Sequence, residues 1–269
     1  MLRDRRPSTA TLGGVSETTR RHWDGATYDR VANPQARWGT AVLERLALRG
    51  DETVLDCGCG SGRVTEQLLA ALPRGRVIAL DASASMLDQS RLRLAHGDER
   101  VSFVRADLLL LSPATLDGSA PVDAVFSSAT FHWITDHPRL FANLAGVLRP
   151  GGQLSAQCGA QGNIDRLLEV ARSVGLERSS AWEYASAETT SERLQAAGFE
   201  NVRAWTHQEP TRFDDETDLA EFLETVCFGD AVAAMDEAER RALMLRVVAA
   251  MPEPVIDYVR LNMVATRAL

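Results

Sequence analysis

Short apolar runs rich in β-branched residues alternate with longer segments of helical periodicity from Asp51 to Gln157. Strands are predicted at Thr53–Cys57, Arg76–Asp81, Val101–Arg105, Asp123–Ser127 and Gln153–Gln157. Helices are predicted near Gly62–Ala71, Ala84–Ala95 and Pro138–Leu148. Because strands alternating with helices of about ten residues are typical of βαβ units, a parallel sheet covered by helices on both faces is expected.

The flanking segments are mainly helical. Ser16–Leu48 has the pattern of two helices broken near Asn33-Pro34, and Glu216–Ala250 has helical periodicity with few β-branched residues. The other predicted elements are helices at Ile164–Val174 and Ser191–Ala197 and strands at Val202–His207 and Val259–Thr266. We therefore expect a disordered leader over residues 1–15 and a single domain over residues 16–269. That domain would have N-terminal lid helices at 16–48 and a helical insertion at about 216–250.

Composition narrows the class of protein. No apolar run is long enough for a membrane-spanning helix, and the basic start lacks the apolar segment of a secretory signal. A net charge of −8 argues against general nucleic-acid binding, which needs a basic face. The spacing of the four cysteines fits no zinc site, so we expect reduced thiols, a cytoplasmic location and no metal. The four are Cys57, Cys59, Cys158 and Cys227.

A glycine-rich loop follows the first strand. Gly58, Gly60 and Gly62 occupy every second position after Asp56 and precede an amphipathic helix. Glycines let the backbone turn sharply and approach a ligand with no Cβ in the way, and the loop would expose N–H groups at the helix start. In an open parallel sheet, the crevice at this edge is the expected ligand site.

The spacing does not match the dinucleotide fingerprint GxGxxG. Counting from Gly58, the third small residue would fall on Arg63, and counting from Gly60 it would fall on Thr65. The carboxylate of Asp56 would repel a pyrophosphate but would attract a cationic amino-acid group. The loop therefore favours a zwitterionic ligand without phosphate.

Two further acidic residues follow the next two strands. Asp81 ends the second strand, where a carboxylate can accept hydrogen bonds from ribose hydroxyls, or it is the N-cap of the next helix. Asp107 follows the third strand, where it can accept from an adenine amine, or it caps a turn. Met86 offers a flexible apolar contact for a nucleoside, or it belongs to the core.

These segments resemble the class I S-adenosylmethionine-dependent methyltransferases. The matching stretches are VLDCGCGSG, ALDAS with Met86, RADLL, VDAVFSSATFHW and LRPGG. The stretches WDGATYDRV, FHWITDH, AQCGAQGNI and DYVRLNMVATR resemble the trans-aconitate methyltransferase-like branch. The resemblance implies an α/β, Rossmann-like three-layer sandwich. Its seven-stranded, mostly parallel sheet would have an antiparallel last strand and added helices.

The resemblance also implies site residues and a cofactor, S-adenosyl-L-methionine, with S-adenosyl-L-homocysteine as product. The methionine portion would be lined by Asp56, Gly58, Cys59 and Gly60, with Gly62 opening the helix behind them. The nucleoside would be bound by Asp81, Ala82, Met86, Ala106, Asp107 and Leu108. Backbone contacts near the methyl group would come from Ser127 and Ser128.

The acceptor side is predicted just beyond the fourth strand. His132 would act as a base toward a hydroxyl, or, when protonated, would bind a carboxylate; packing is its ordinary alternative. Trp133 would form a pocket wall, and His137 would belong to the helix start without a chemical role. Arg30 and Arg37 are weaker candidates for binding an anion. Trp23, Tyr28, Gln35 and Trp38 would form a lid over the cofactor, or their aromatic side chains pack without such a role.

We therefore expect a monomeric or homodimeric enzyme (EC 2.1.1.-) that methylates a small molecule and binds neither nucleic acid nor membrane. From the branch resemblance, the oxygen of a small carboxylate is the first choice of acceptor. A carbon or hydroxyl of a secondary metabolite is the second. The alternatives are a non-catalytic relative that binds S-adenosylmethionine and an NAD-dependent oxidoreductase, which the loop spacing disfavours.

Overall fold

The computed structural model describes residues 33–94, 99–177 and 181–269, with the side chains of residues 33–36 left out. A seven-stranded sheet forms its centre. The sheet is built from β1 (Thr53–Cys57), β2 (Arg76–Asp81), β3 (Val101–Arg105), β4 (Val122–Ser128), β5 (Leu148–Gly159), β6 (Phe199–Gln208) and β9 (Val259–Arg267). A separate two-stranded ladder joins β7 (Thr211–Arg212) to β8 (Val255–Ile256).

The strand order across the sheet is β3-β2-β1-β4-β5-β9-β6. Strands β1 to β5 pair in parallel, whereas β9 runs antiparallel to both β5 and β6. The order reverses at β1, so the carboxyl ends of β1 and β4 open a crevice between neighbouring strands, which is where ligands bind in sheets of this kind. The predicted fold class, including the antiparallel last strand, is confirmed.

Helices cover both faces of the sheet. Their bounds are α1 (Asn33–Leu43), α2 (Arg63–Ala71), α3 (Ala84–Arg93), α4 (His137–Val147), α5 (Asp165–Ser173), α6 (Ala187–Ala196), α7 (Glu216–Phe222), α8 (Gly229–Val232) and α9 (Glu237–Ala250). Short 3₁₀ turns occupy Leu108–Leu110, Pro113–Leu116 and Phe131–Trp133. The central strands are apolar on both faces because both are buried: Val54, Leu55 and Ile78 are each at most 2% exposed.

The last helices lie between β6 and β9 and form a second apolar core, which includes Phe222, Met244 and Tyr258. The helical pattern of residues 216–250 did not predict the π turn at Leu223–Cys227, which separates α7 from α8. Nor did it indicate the β7–β8 ladder beside these helices. No helix in the described ranges is long and apolar enough to cross a membrane.

The N-terminal predictions are described only in part. The leader and the first lid helix lie outside the described residues. The second lid helix is α1, which ends at Leu43 rather than Leu48 because residues 44 and 45 form a turn. Its buried residue Val42 accepts a hydrogen bond at its backbone oxygen from the hydroxyl of Ser155 at 2.8 Å, which fastens α1 to β5.

Candidate cofactor and acceptor sites

The three glycines of the loop after β1 all have left-handed backbone conformations, with φ of 78°, 54° and 84° at Gly58, Gly60 and Gly62. A Cβ on Gly58 would lie 2.1 Å from the Thr130 hydroxyl, and one on Gly62 would lie 2.6 Å from the Ser90 hydroxyl. A Cβ on Gly60 would meet no atom of the described residues within 4 Å. Gly58 and Gly62 are therefore required by packing, whereas Gly60 borders open space that a ligand can enter.

The backbone N–H groups of this loop are bonded within the protein. Gly58 and Cys59 both donate to the backbone oxygen of Leu80, at 2.8 and 3.0 Å, and Gly62 donates to the backbone oxygen of Cys59 at 3.1 Å. Gly60 donates to the Asp81 carboxylate at 2.9 Å. The expected exposed N–H groups are thus absent at these four positions. A pyrophosphate, which needs such donors, would find none of the four available.

Asp56 lies beneath the loop rather than on its surface. Its side chain is 2% exposed and accepts a hydrogen bond from the Thr65 hydroxyl on α2 at 2.7 Å. Burial, with the nearby negative charge of Asp81, raises the pKa of Asp56 to about 7, against the lowering effect of Thr65. Asp56 therefore joins the end of β1 to the first turn of α2. It would influence a bound cation from below the loop.

Asp81 borders the loop and is partly exposed. Its two carboxylate oxygens accept backbone N–H bonds from Gly60 at 2.9 Å and from Ser83 at 2.8 Å. Burial raises the pKa of Asp81, while these hydrogen bonds lower it. The N-cap of α3 is Ser83, which accepts from the backbone of Met86, so Asp81 does not cap that helix. Each oxygen keeps lone-pair capacity for a ribose hydroxyl.

Asp107 caps the turn Leu108–Leu110 by accepting from the backbone of Leu109 at 2.9 Å. Asp107 therefore caps a turn, which was the alternative to a role in binding adenine. The cap uses one carboxylate oxygen of Asp107, and the other oxygen lies near the end of β3. Ala106 donates to the backbone oxygen of Asp81 at 3.2 Å, which brings the ends of β2 and β3 together. Two predicted nucleoside contacts, Met86 and Leu108, are buried, while Ala82 is exposed.

The end of β4 meets the glycine loop. Ser127 is fully buried and donates to the backbone oxygen of Cys57 at 2.7 Å. The Ser128 hydroxyl is buried and has no hydrogen-bond partner within the described ranges. Thr130 donates to the backbone oxygens of Gly58 at 3.4 Å and Ser128 at 3.2 Å. The segment after β4 is thereby held against the glycine loop.

A pocket lies beside this segment. Its walls come from α1, from the segment after β4, from residues 163–184, from the π turn and from residues 258–260, and five of the twelve lining residues are tryptophan or tyrosine. The residues that line it are Trp38, Ala129, His132, Trp133, Asn163, Ile164, Trp182, Tyr184, Val226, Cys227, Tyr258 and Arg260. Of the predicted acceptor-side and lid residues, the structure thus brings together His132, Trp133 and Trp38.

His132 is 8% exposed and stacks on Tyr184 with ring centroids 5.9 Å apart. Its Nδ1 lies 3.4 Å from the backbone nitrogen of Gly159, which can only donate. In the neutral ring this places the proton on Nε2. His137 is the first residue of α4, and its Nε2 lies 3.0 Å from the backbone oxygen of Phe131. His137 therefore supports the turn that carries His132 and Trp133.

Sequence reasoning missed Arg260. This residue is 2% exposed, lines the pocket, and places its guanidinium 4.0 Å from the ring centroid of Trp38. Of the two arginines predicted from the sequence to bind an anionic substrate, Arg37 is exposed and Arg30 lies outside the described residues. The signal in the sequence is an arginine within the apolar run of β9, because a charged residue is rarely buried without a reason.

Three predicted lid residues remain without structural test. Trp23 and Tyr28 lie outside the described residues, and Gln35 belongs to α1 but its side chain is not described.

In the described ranges no group of three or more histidine, cysteine or acidic residues is arranged to hold a metal ion. All four cysteines are buried as thiols.

Residues 54–152 match the family model described as a methyltransferase domain. Trans-aconitate 2-methyltransferase of Azoarcus sp. strain BH72 is 38% identical over 135 residues, which is 50% of this chain and 50% of that protein. The enzyme of the same name from Methylobacterium nodulans is 36% identical over 135 residues, 50% of this chain and 49% of that protein. The chain thus spans about half the length of these curated relatives.

Solved structures show the same fold at low identity. Phosphoethanolamine N-methyltransferase 2 of Haemonchus contortus, in complex with S-adenosyl-L-methionine, has a TM-score of 0.60 at 16% identity, covering 91% of this chain and 57% of that one. The (4+2)-cyclase SpnF has a TM-score of 0.57 at 21% identity, covering 87% and 82%. Since a cyclase shares the fold, the fold alone does not set the reaction.

The methyltransferase-domain match, the curated relatives and the sheet order agree. Residues 54–152 therefore match a methyltransferase domain, and half of the chain is similar to trans-aconitate 2-methyltransferases.

Proposed function

We propose that this protein transfers a methyl group from S-adenosylmethionine to a carboxylate oxygen of a small-molecule acceptor. The methyl donor would occupy the open space beside Gly60, where an added Cβ would meet nothing within 4 Å of the described residues. Asp81 would bind the ribose hydroxyls with its remaining lone pairs. The residues proposed to line this site, or to lie directly beneath it as Asp56 does, are Asp56, Gly58, Cys59, Gly60, Gly62, Asp81, Ala82, Met86, Ala106, Asp107, Leu108, Ser127 and Ser128.

The residues around this space fit a zwitterionic nucleoside better than a dinucleotide. The four loop N–H groups already bonded within the protein offer nothing to a pyrophosphate. Asp81 lies close enough for its charge to raise the pKa of Asp56, and the negative potential of the two carboxylates favours a bound cation. When bound, S-adenosylmethionine supplies an electrophilic methyl group and leaves as S-adenosylhomocysteine.

The buried guanidinium of Arg260 is the observation that carries the choice of a carboxylate acceptor. Arginine binds carboxylates through two parallel N–H bonds, and this geometry is strongest where water is excluded. Arg260 lies in the wall of this pocket, among several aromatic residues and next to the segment that contacts the glycine loop. The curated relatives are named for trans-aconitate, which is a carboxylic acid, and their names support the choice of a carboxylate acceptor.

A carboxylate acceptor needs no general base. It is ionised at neutral pH, so its oxygen supplies the electron pair of the new O–C bond while the C–S pair goes to sulfur. The protein contributes alignment and exclusion of water. His132, with its proton on Nε2, would donate a hydrogen bond to the acceptor rather than remove a proton from it. We therefore assign His132 a binding role.

The proposal is tested by incubating the purified protein with S-adenosylmethionine and a set of acids, and by measuring S-adenosylhomocysteine and methyl esters by mass spectrometry. The set contains trans-aconitate, cinnamate and benzoate, with cinnamyl alcohol as the neutral counterpart. We expect ester from at least one acid and no product from the alcohol. Methylation of the alcohol alone, or of none of these, would overturn the carboxylate assignment.

Arg260→Leu should remove esterification while leaving the affinity for S-adenosylhomocysteine unchanged. A matched control is Arg203→Leu, since Arg203 also lies over a tryptophan ring, 5.6 Å from the centroid of Trp205, but is exposed on β6. We expect the control to retain full activity. Equal losses in the two variants would show that Arg260 acts only through stability.

A further inference from the structure

A chain of polar side chains runs from Arg260 across three strands of an otherwise apolar sheet. Arg260 Nε donates to Gln157 Oε1 at 3.3 Å, and Gln157 Nε2 donates to Asn262 Oδ1 at 2.9 Å. Asn262 Nδ2 lies 2.9 Å from His207 Nδ1, and His207 Nε2 lies 3.2 Å from a carboxylate oxygen of Glu209. Gln157 and Asn262 are directly opposite in the β5–β9 pairing.

The direction of these hydrogen bonds is fixed at Asn262. Its Nδ2 lies 3.4 Å from the backbone oxygens of both Trp205 and Arg260, which can only accept. Turning the amide would place its oxygen against two carbonyl oxygens, so the nitrogen must stay on that side. The Asn262 oxygen then faces Gln157 and can only receive an N–H. Gln157 must therefore present its own oxygen to Arg260.

Gln157 holds the guanidinium on one edge while Trp38 covers one of its faces. The Trp38 ring centroid is 4.0 Å from the guanidinium carbon, and Gln157, Asn262 and Arg260 are each at most 2% exposed. An edge bond and a face contact together define the plane of the group. A guanidinium whose plane is set in advance loses less entropy on binding a carboxylate.

The choice of an amide at position 157 has an electrostatic consequence. A neutral oxygen can orient a guanidinium without neutralising its charge. A carboxylate at this position would pair with Arg260 and would compete with the carboxylate of the acceptor. The amide therefore orients the guanidinium without placing a negative charge beside it.

We propose that Gln157 is a positioning residue for the acceptor: it aligns Arg260 through a hydrogen bond whose direction Asn262 sets. This inference rests on the proposed function, because Arg260 must bind the acceptor for its alignment to matter. Gln157 itself does not touch the acceptor in this account. Its effect is confined to acceptor binding and leaves the cofactor site unchanged.

The test compares Gln157→Leu, which removes the oxygen, with Gln157→Glu, which is nearly isosteric and adds a charge. Gln153→Glu is the matched control, since Gln153 lies on the same strand and bonds to the backbone of Ala47: it accepts at 2.9 Å through an oxygen that glutamate retains and donates at 3.4 Å through a nitrogen that glutamate lacks. For each variant, the Kd of trans-aconitate and of cinnamate is measured by calorimetry in S-adenosylhomocysteine-saturated protein. The Kd of S-adenosylhomocysteine is measured separately and reports correct folding.

We expect the Kd of the acid to rise about ten-fold in Gln157→Leu and by more in Gln157→Glu, since a tenfold change needs only about 1.4 kcal/mol. The Kd of S-adenosylhomocysteine should stay within about two-fold. Where esterification is measurable, KM should rise more than kcat falls, and Gln153→Glu should behave as wild type.

The outcomes separate this inference from the proposed function. If wild-type protein binds neither acid, or if Arg260→Leu binds them unchanged, the proposed function fails and the inference with it. If Arg260→Leu loses the acid but both Gln157 variants bind it as wild type, the proposed function stands and the positioning role is refuted. A parallel loss of S-adenosylhomocysteine binding in both Gln157 variants would instead reduce Gln157 to a structural residue.

Discussion

Replacing Asp56 by asparagine should remove a pH dependence of folding stability. The carboxyl is buried, which raises its pKa from an ordinary 3.8 to about 7, whereas asparagine has no charge to bury. The amide oxygen of the new side chain can still accept from the Thr65 hydroxyl, which donates to Asp56 at 2.7 Å. The substitution therefore changes the charge and retains the hydrogen bond.

The direction and size of the change in unfolding free energy with pH follow from the pKa of Asp56 in the folded and unfolded states. Between pH 3.8 and about 7 the folded protein holds a proton on Asp56 that the unfolded chain has lost. Asp56 therefore leaves the free energy of unfolding at its full value below pH 3.8 and lowers it as pH rises. Each pH unit in this window costs about 1.4 kcal/mol. From about pH 5 to pH 8 the wild type should therefore lose about 3 kcal/mol through Asp56.

Urea unfolding of the ligand-free protein at half-unit intervals from about pH 5 to pH 8 measures this loss. The difference in unfolding free energy between Asp56→Asn and wild type should grow in favour of the variant by about 3 kcal/mol across this range. Asp88→Asn is the control, because Asp88 is exposed on α3. Parallel curves for Asp56→Asn and wild type would refute the burial argument.

Other predictions concern the loop and the strand ends. Gly60→Ala should cost folding about 1–2 kcal/mol for its left-handed backbone and weaken S-adenosylhomocysteine binding at least about ten-fold, by calorimetry; unchanged affinity would remove the ligand from this space. Gly58→Ala should instead lower Tm strongly, because its Cβ would lie 2.1 Å from the Thr130 hydroxyl; a Tm equal to that of Gly60→Ala would contradict this. Asp81→Ala should weaken S-adenosylhomocysteine binding about 100-fold through two lost charge-assisted hydrogen bonds; retained affinity would remove the ribose assignment. His132→Phe should raise the KM of the acid about ten-fold with cofactor affinity unchanged, through the loss of one hydrogen bond to the acceptor; an unchanged KM would reduce His132 to packing.

The parallel part of the fold was predictable because local signals agree there. Three strands match their predicted bounds, and Arg76–Asp81 is an example. Apolar strands that alternate with helices predict parallel pairing through right-handed crossovers. The C-terminal part was less predictable: the π turn at Leu223–Cys227 depends on how α7 packs against α9, which no periodicity encodes.

The meeting of the loop glycines with Asp81 was predictable from the sequence, whereas the pocket that Arg260 lines was not. The loop glycines and Asp81 are close in sequence to strand ends, so their meeting follows from the parallel sheet. The meeting of Trp38, His132 and Arg260 joins segments more than 90 residues apart and depends on the antiparallel placement of β9. The sequence also did not indicate that Asp56 would be bonded to Thr65 beneath the loop.

The account depends most on a sulfonium nucleoside occupying the crevice beside Gly60. Calorimetric titration of the purified protein with S-adenosylhomocysteine and, separately, with NAD tests this directly. We predict saturable one-to-one binding of S-adenosylhomocysteine that weakens about 100-fold in Asp81→Ala, and no measurable binding of NAD. Binding of NAD with no heat from S-adenosylhomocysteine would contradict the account.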